Sequence, residues 1–162
     1  MGIIHIRIDD RLIHGQVAAF WCNSLKANRI MVANDAVAKD ELQKNVLRMV
    51  APAGVRTSII TKQTAATNIK AGKYDKERVL LILKSPQDAL DLINLGVDIK
   101  SINVGNMAHK DRTIQIKRSI NVTEADIENF KKLSALGIEI TAIMVPDEPA
   151  TSLMDYIKKA NK

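Results

Sequence analysis

One cysteine in 162 residues, Cys22, closes off two classes of protein at once. No intrachain disulfide can form, and no cysteine-built zinc module can assemble. Cys22 sits in an apolar helical pattern and reads as a buried thiol. Aromatic residues make up 3% of the chain. That is too few to stack a run of bases, and no arginine-rich stretch compensates, so nucleic acid is not an expected partner. No apolar run approaches the roughly 20 residues of a membrane span, and no leader with a basic start and apolar centre is seen. The expected location is the cytoplasm. Walker, GxGxxG and GxSxG motifs are also absent. The three histidines, His5, His14 and His109, have no ligand spacing. Neither a metal nor a cofactor is expected.

What the chain does have is aliphatic bulk. Apolar residues are 46% of the total, dominated by Ile, Val, Leu and Ala, which suits a parallel sheet buried on both faces. The length fits one domain over residues 1–162, long enough for a real core. The formal charge of +6 is uneven. Residues 1–81 hold 13 Lys and Arg against 7 Asp and Glu, whereas residues 82–162 hold 11 of each. A basic half favours an anionic partner, such as a phosphorylated or acidic protein surface.

Strand and helix patterns alternate along the chain. Strands are predicted at 3–8, 29–34, 56–61, 78–83, 99–104 and 138–145. Helices are predicted near 16–26, from Asp40 to Val50, at 62–71, after Ser85–Pro86 up to Gly96, from the capping box at Thr123–Asp126 to Ala135, and at 151–160. The segments 114–116 and 119–122 alternate too briefly for helices and read as a small antiparallel ribbon within 107–122. The expected fold is α/β: a single open, mostly parallel twisted sheet of about six or seven strands, with helices on both faces.

Ligands of such sheets bind beyond the carboxyl ends of the strands. The first loop there is the most chemically loaded stretch of the chain, Ile8–Asp9–Asp10–Arg11–Leu12–Ile13–His14–Gly15–Gln16–Val17. A neutral imidazole at His14 can accept a phosphoryl group reversibly. Arg11 offers a planar fork of donors to its oxygens. The N–H groups of Gly15 and Gln16 open a helix and attract anions, with Gly15 allowing close approach. Asp9 or Asp10 is placed to hold the imidazole tautomer or to brace Arg11. Weaker candidates on the same edge are Asn34, Lys84, Ser85 and Asn106. The plain alternative is a surface histidine beside a local Asp10–Arg11 ion pair, of the kind that contributes little. His5 reads as a satisfied core residue and His109 as solvated. Phe20 and Trp21 read as core, with a place on a docking surface the alternative for one of them.

The run Arg7–Ile8–Asp9–Asp10–Arg11–Leu12–Ile13–His14–Gly15–Gln16–Val17 closely resembles the active-site signature of enzyme IIB of the mannose–fructose–sorbose class of the bacterial phosphoenolpyruvate:sugar phosphotransferase system (PTS). Val32–Ala33–Asn34–Asp35, Val50–Ala51–Pro52–Ala53–Gly54–Val55, Ile102–Asn103–Val104–Gly105–Asn106–Met107, Asp126–Ile127–Glu128–Asn129–Phe130 and Leu136–Gly137–Ile138 resemble that family in the same order. The resemblance implies that His14 takes a phosphoryl group from a histidine of enzyme IIA and passes it to a sugar arriving through membrane components IIC and IID. It implies that Arg11 steadies the group in transit. Some members carry a second arginine where this chain has Ile143; Lys84 is the candidate substitute. IIA is expected as a separate polypeptide, the protein as peripheral to the membrane transporter, and a homodimer is allowed. The sugar is of the N-acetylgalactosamine or mannose/fructose/sorbose type, with the runs at 32–35 and 103–107 closer to the former. The competing readings are a regulatory binding module on the same scaffold and a small-phosphate mutase. A mutase would need more cations near His14 than the sequence offers.

Overall fold

The computed structural model describes residues 2–160. β1 (Gly2–Asp9) runs into the loop 10–14 and then α1 (Gly15–Leu25). β2 (Arg29–Ala33) is followed by one short turn, α2 (Asp35–Ala38), and by α3 (Glu41–Val50). β3 (Arg56–Ile60), α4 (Lys62–Lys70), β4 (Arg78–Leu83), α5 (Pro86–Asn94) and β5 (Ser101–Asn106) continue the alternation. The ribbon β6 (Ile114–Lys117) and β7 (Ile120–Val122), then α6 (Glu124–Ala135), β8 (Glu139–Ala142) and α7 (Leu153–Ala160), complete it.

The helix starts are written in the sequence. Asp40 accepts from the Gln43 N–H, Thr61 from Thr64 and Ser85 from Asp88, with Pro86 at the first helical position. Thr123 and Asp126 form a reciprocal capping box. Each such cap satisfies an N–H that the helix itself cannot.

Six strands form one sheet in the order β3-β2-β4-β1-β5-β8, and every pairing is parallel. The ribbon is a separate antiparallel pair. Alternate side chains serve two cores. On one face Ile6 and Ile8 of β1, Leu81 and Leu83 of β4, and Ile102 and Val104 of β5 meet Ala65 and Ala66 of α4, Leu92 of α5, Phe130 and Leu133 of α6, and Leu153 of α7. On the other, Leu80 and Ile82 of β4 and Ile30 and Val32 of β2 meet Ala18, Trp21 and Cys22 of α1 and Leu47 of α3. The chain leaving β1 therefore turns to one face, and the chain leaving β4 and β5 turns to the other. The crevice such a reversal opens is where open α/β sheets place ligands.

Three departures from the sequence reading have physical causes. The helical turn α2 was not anticipated; Asn34 creates it by accepting from the Val37 N–H. β5 begins and ends two residues later than the apolar run suggests, because Asn106 still pairs with Asp9 while Ile99 is buried outside the ladder. β8 stops at Ala142, short of the predicted 145, since the next two carbonyls leave the ladder to accept from a buried arginine.

Candidate active site

β1 carries apolar side chains on one face only. Its other face presents His5 and Arg7 beside Trp21 of α1, with Arg7 also reaching the segment after β8 and Asp9 paired to Arg7. Arg7 is 2% exposed. Its Nη1 donates to the Ile143 carbonyl at 3.0 Å and its Nη2 to the Met144 carbonyl at 2.9 Å. Nη2 also lies 3.4 Å from the Asp9 carboxylate, and the guanidinium sits 5.1 Å from the centre of the Trp21 ring. Burial pulls the Arg7 guanidinium down from its ordinary value, and the Asp9 carboxylate opposes that. An arginine stays charged under such pressure, so the carboxylate is needed as its partner.

Met144 is the junction of this arrangement. Its carbonyl accepts from both Arg7 and the Trp21 indole, and its N–H donates to Glu148 at 3.0 Å. Lys117 closes the segment by donating to the Glu148 carboxylate and to the Ala142 carbonyl. Burial alone would raise the Glu148 carboxyl, but the Lys117 ammonium and the Met144 N–H outweigh it and hold it below the ordinary carboxylate range. Gly105 on β5 belongs here too. A Cβ at that position would fall 2.0 Å from Arg7 Nη2, so no side chain fits.

The consequence of burying Arg7 appears one turn further along the chain. Asp9, predicted in the loop, is the last residue of β1 and is 1% exposed. Its Oδ1 accepts from the Arg11 N–H at 3.0 Å and from Arg11 Nε at 3.3 Å. Asp9 is thus held by Arg7 from below and braces Arg11 above. The Arg11 side chain is 32% exposed, and among the described residues its Nη1 has no partner. The loop between is fixed by Leu12 and Ile13, 2% and 3% exposed, which insert into the core under α1. Leu12 adopts φ +63°, and its N–H donates to the Asp9 carbonyl. A left-handed leucine costs roughly 1–2 kcal/mol, so the surrounding contacts must impose this turn.

His14 follows at the N-cap of α1, exposed, with no side-chain cap bond. Among the described residues its ring accepts and donates no hydrogen bond. Gly15, at φ +38°, and Gln16 are the first two residues of α1 and are exposed beside it. Neither aspartate reaches the imidazole: Asp9 braces Arg11, and Asp10 accepts from Asn106 Nδ2 at 2.8 Å and from the Ala108 N–H at 2.6 Å.

The weaker candidates separate. Asn106 is drawn to the loop through Asp10. Asn34 has both ends of its amide engaged, capping α2 and donating to Asp88. Ser85 caps α5. Lys84 is exposed, and its N–H donates to Asp88. Asn34, Lys84 and Ser85 line a cleft with Asp10, and His14 is not among its lining residues. No group of His, Cys, Asp and Glu suited to a metal ion exists among the described residues. No helix there is long and apolar enough to cross a membrane.

Two readings of the aromatic and titratable residues are corrected. His5 is not a satisfied core residue: its Nε2 is buried with no hydrogen-bond partner, and the ring stacks on Trp21 at 4.8 Å between centroids. Burial, then the charge of Arg7, pushes its pKa down to about 4. Phe20 is 54% exposed rather than core, because α1 turns Ala18, Trp21 and Cys22 inward. The residue missed outright is Arg7. The signal was available: titratable residues at 5, 7 and 9 alternate with isoleucines at 4, 6 and 8, a period of two that assigns them a common face.

Residues 3–162 match the sorbose subfamily IIB component of the PTS. The chain is 42% identical over 156 residues to the mannose-specific EIIAB component of Escherichia coli K12, covering 96% of this chain and 48% of that protein. It thus spans about half the length of the curated mannose-type relatives that it matches. It is 40% identical to the N-acetylgalactosamine-specific enzyme IIB component 2 of the same organism, covering 96% and 99%. The fold superposes on the crystal structure of the IIB domain of the sorbose permease from Klebsiella pneumoniae with a TM-score of 0.93, at 33% identity and 98% coverage of both chains. Matched over nearly its whole length in sequence and in fold, this chain belongs to the sorbose-subfamily IIB components of the sugar phosphotransferase system.

Proposed function

We propose that His14 is the phosphoryl carrier of this IIB component. The observation that supports it is the pairing of an exposed, unbonded imidazole with an arginine braced from a buried carboxylate, both on a loop pinned into the core. A group that must receive and release a phosphoryl group needs access on both occasions, and its cation must be preorganised rather than recruited.

In the first step the neutral imidazole of His14 attacks the phosphorus of a phosphohistidine on enzyme IIA. A new N–P bond forms on His14 as the donor's N–P bond breaks, and both rings keep their N–H proton. In the second step a sugar hydroxyl attacks. An O–P bond forms, the His14 N–P bond breaks, and the hydroxyl proton is released to water. Arg11 stabilises the equatorial oxygens in both steps through the donors that Asp9 does not occupy. The N-terminus of α1, opened by Gly15 and Gln16, adds its N–H groups. The second cation of some relatives has no counterpart at Ile143, whose carbonyl instead accepts from Arg7. The sugar, of the kinds for which the relatives are named, reaches His14 through membrane components IIC and IID. The protein works in the cytoplasm against the membrane transporter.

Replacing Arg11 by Lys keeps the charge but discards the planar fork. Transfer from phosphorylated IIA should fall about 100-fold or more, as when one preorganised donor is lost. Rapid-quench measurement of the half-reaction checks this; near-wild-type transfer would exclude Arg11 from the role.

A further inference from the structure

Seven large apolar side chains are exposed among the described residues, and four of them share one helix. Leu42, Val46, Met49 and Val50 of α3 are 75%, 50%, 83% and 41% exposed. Their spacing, i, i+4, i+7 and i+8, puts them on one face. A surface helix normally turns such a stripe to the core and its polar residues to water. α3 does the reverse: Leu47 is its one buried residue, and the apolar stripe meets solvent. Contiguous exposed apolar surface of this kind marks a contact site.

The charges around the stripe say what covers it. Asp40 and Glu41 stand at the start of α3 and Arg48 in its last turn. Glu41 meets Lys44 of its own helix at 3.4 Å and Arg48 donates to Asn45, but both stay exposed and able to reach across to another molecule. Leu42 lies four residues before Val46 and Met49 three after it, the 4-3 spacing of a helix–helix seam. A two-fold axis at Val46 therefore sets Leu42 against Met49 of a second copy and Glu41 against its Arg48. The same crossing brings the N-terminus of each helix dipole toward the C-terminus of the other. A lipid surface fits less well. Asp40, Glu41, Lys44 and Arg48 sum to no net charge and α3 has no aromatic residue, whereas interfacial helices are basic and carry Trp or Phe.

We propose that this face joins two copies of the chain, as an antiparallel two-fold dimer through α3. The four side chains expose roughly 500 Å² per copy, so two copies bury about 1,000 Å², the lower limit for a specific interface. The dimer is accordingly weak and reversible. It owes its apolar part to the stripe and its direction to the Glu41–Arg48 pairs on either side of the axis. None of the residues of the loop 10–14 takes part.

The test is sedimentation equilibrium of the full chain over roughly 10 µM to 1 mM, the range expected of so small an interface. The wild-type protein should pass from one chain to two within it. Val46→Glu places a charge on the axis and should weaken association by about tenfold or more. Glu41→Arg and Arg48→Glu should each weaken it by about threefold, and the two together should restore it, because the exchange rebuilds the pair across the axis. Far-UV circular dichroism of each variant should match the wild-type protein, since all three positions are exposed. A wild-type protein that stays monomeric throughout, a dimer indifferent to Val46→Glu, or a charge exchange that fails to restore association overturns the proposal. A monomer that floats with phosphatidylglycerol vesicles and loses this in Val46→Glu would give the stripe to a lipid surface. A monomer whose binding of IIA is lost in that variant would give it to IIA.

Discussion

The two faces of the sheet are built on different terms. The strands present only apolar side chains to the core under α4, α5, α6 and α7, from Ile8 at 0% exposure to Leu81 and Val104 at 0%. The face under α1 shares that character over β2 and β4, but over β1 and β5 it buries Arg7, Asp9 and Asn103 and half-buries His5. A uniform apolar face needs only volume and pattern to be satisfied. A buried ionic group needs specific partners, and it is tolerated only when those partners are held. The difference teaches what the polar face is for. Arg7 and Asp9 link the carbonyls of residues 143 and 144 through the end of β1 to Arg11 and the loop 10–14. The apolar face supplies the stability against which that arrangement is maintained.

The comparison is broken most forcefully at Arg7. Arg7→Met leaves Asp9 buried with only Arg11 for a cation and strands the Ile143 carbonyl, so it should cost about 3–5 kcal/mol. On the opposite face, Ile8→Val should cost only about 0.5–1.5 kcal/mol. Denaturant unfolding of both variants measures the contrast, and equal costs would remove the distinction between the faces.

The next effect depends on pH. His5 titrates at about 4 in the folded chain against 6.5 in the unfolded one. Between those values the unfolded chain binds the extra proton, so stability falls as the pH drops from 6.5 toward 4, by about 3 kcal/mol at pH 4. His5→Phe keeps the stack on Trp21 and should flatten that part of the profile relative to the parent protein. Parallel slopes for the two proteins would show that His5 is not the group responsible.

Gly105→Ala sharpens the picture at a single methyl group. Its Cβ collides with the Arg7 guanidinium, and because Arg7 is held at both carbonyls the clash should cost about 1–3 kcal/mol. In the Arg7→Met background the cost should shrink, as expected for residues that share one contact. A double-mutant cycle showing no coupling would place the strain elsewhere.

The sequence was readable where local rules decide. The caps at Asp40, Thr61, Ser85 and Thr123, the apolar run of β4 and the brevity of the ribbon are all local statements, and each stands in the structure. It was less readable where a distant partner decides. The end of β8 depends on Arg7, 136 residues away along the chain. No periodicity within 138–145 could reveal that. Asp9 was read as a loop residue because charge suggests exposure, and its burial follows only from the same arginine. In the candidate site, the placing of His14 and Arg11 on the loop after β1 was legible, whereas the brace beneath them needed the fold. Asn34 was legible as a polar residue at the correct edge, but its role as the cap of α2 with its amide on Asp88 was not.

The smallest structural effect is expected at the residue proposed to carry the phosphoryl group. His14 is exposed and unbonded, so His14→Ala should change stability by no more than about 0.5 kcal/mol. The central claim is tested by incubating the wild-type protein and this variant with phosphoenolpyruvate, enzyme I, HPr and a cognate IIA, and reading intact mass. The wild-type protein should gain one acid-labile phosphoryl group, and the folded His14→Ala variant should gain none. A variant that still gains the group would show that the phosphoryl carrier is not His14.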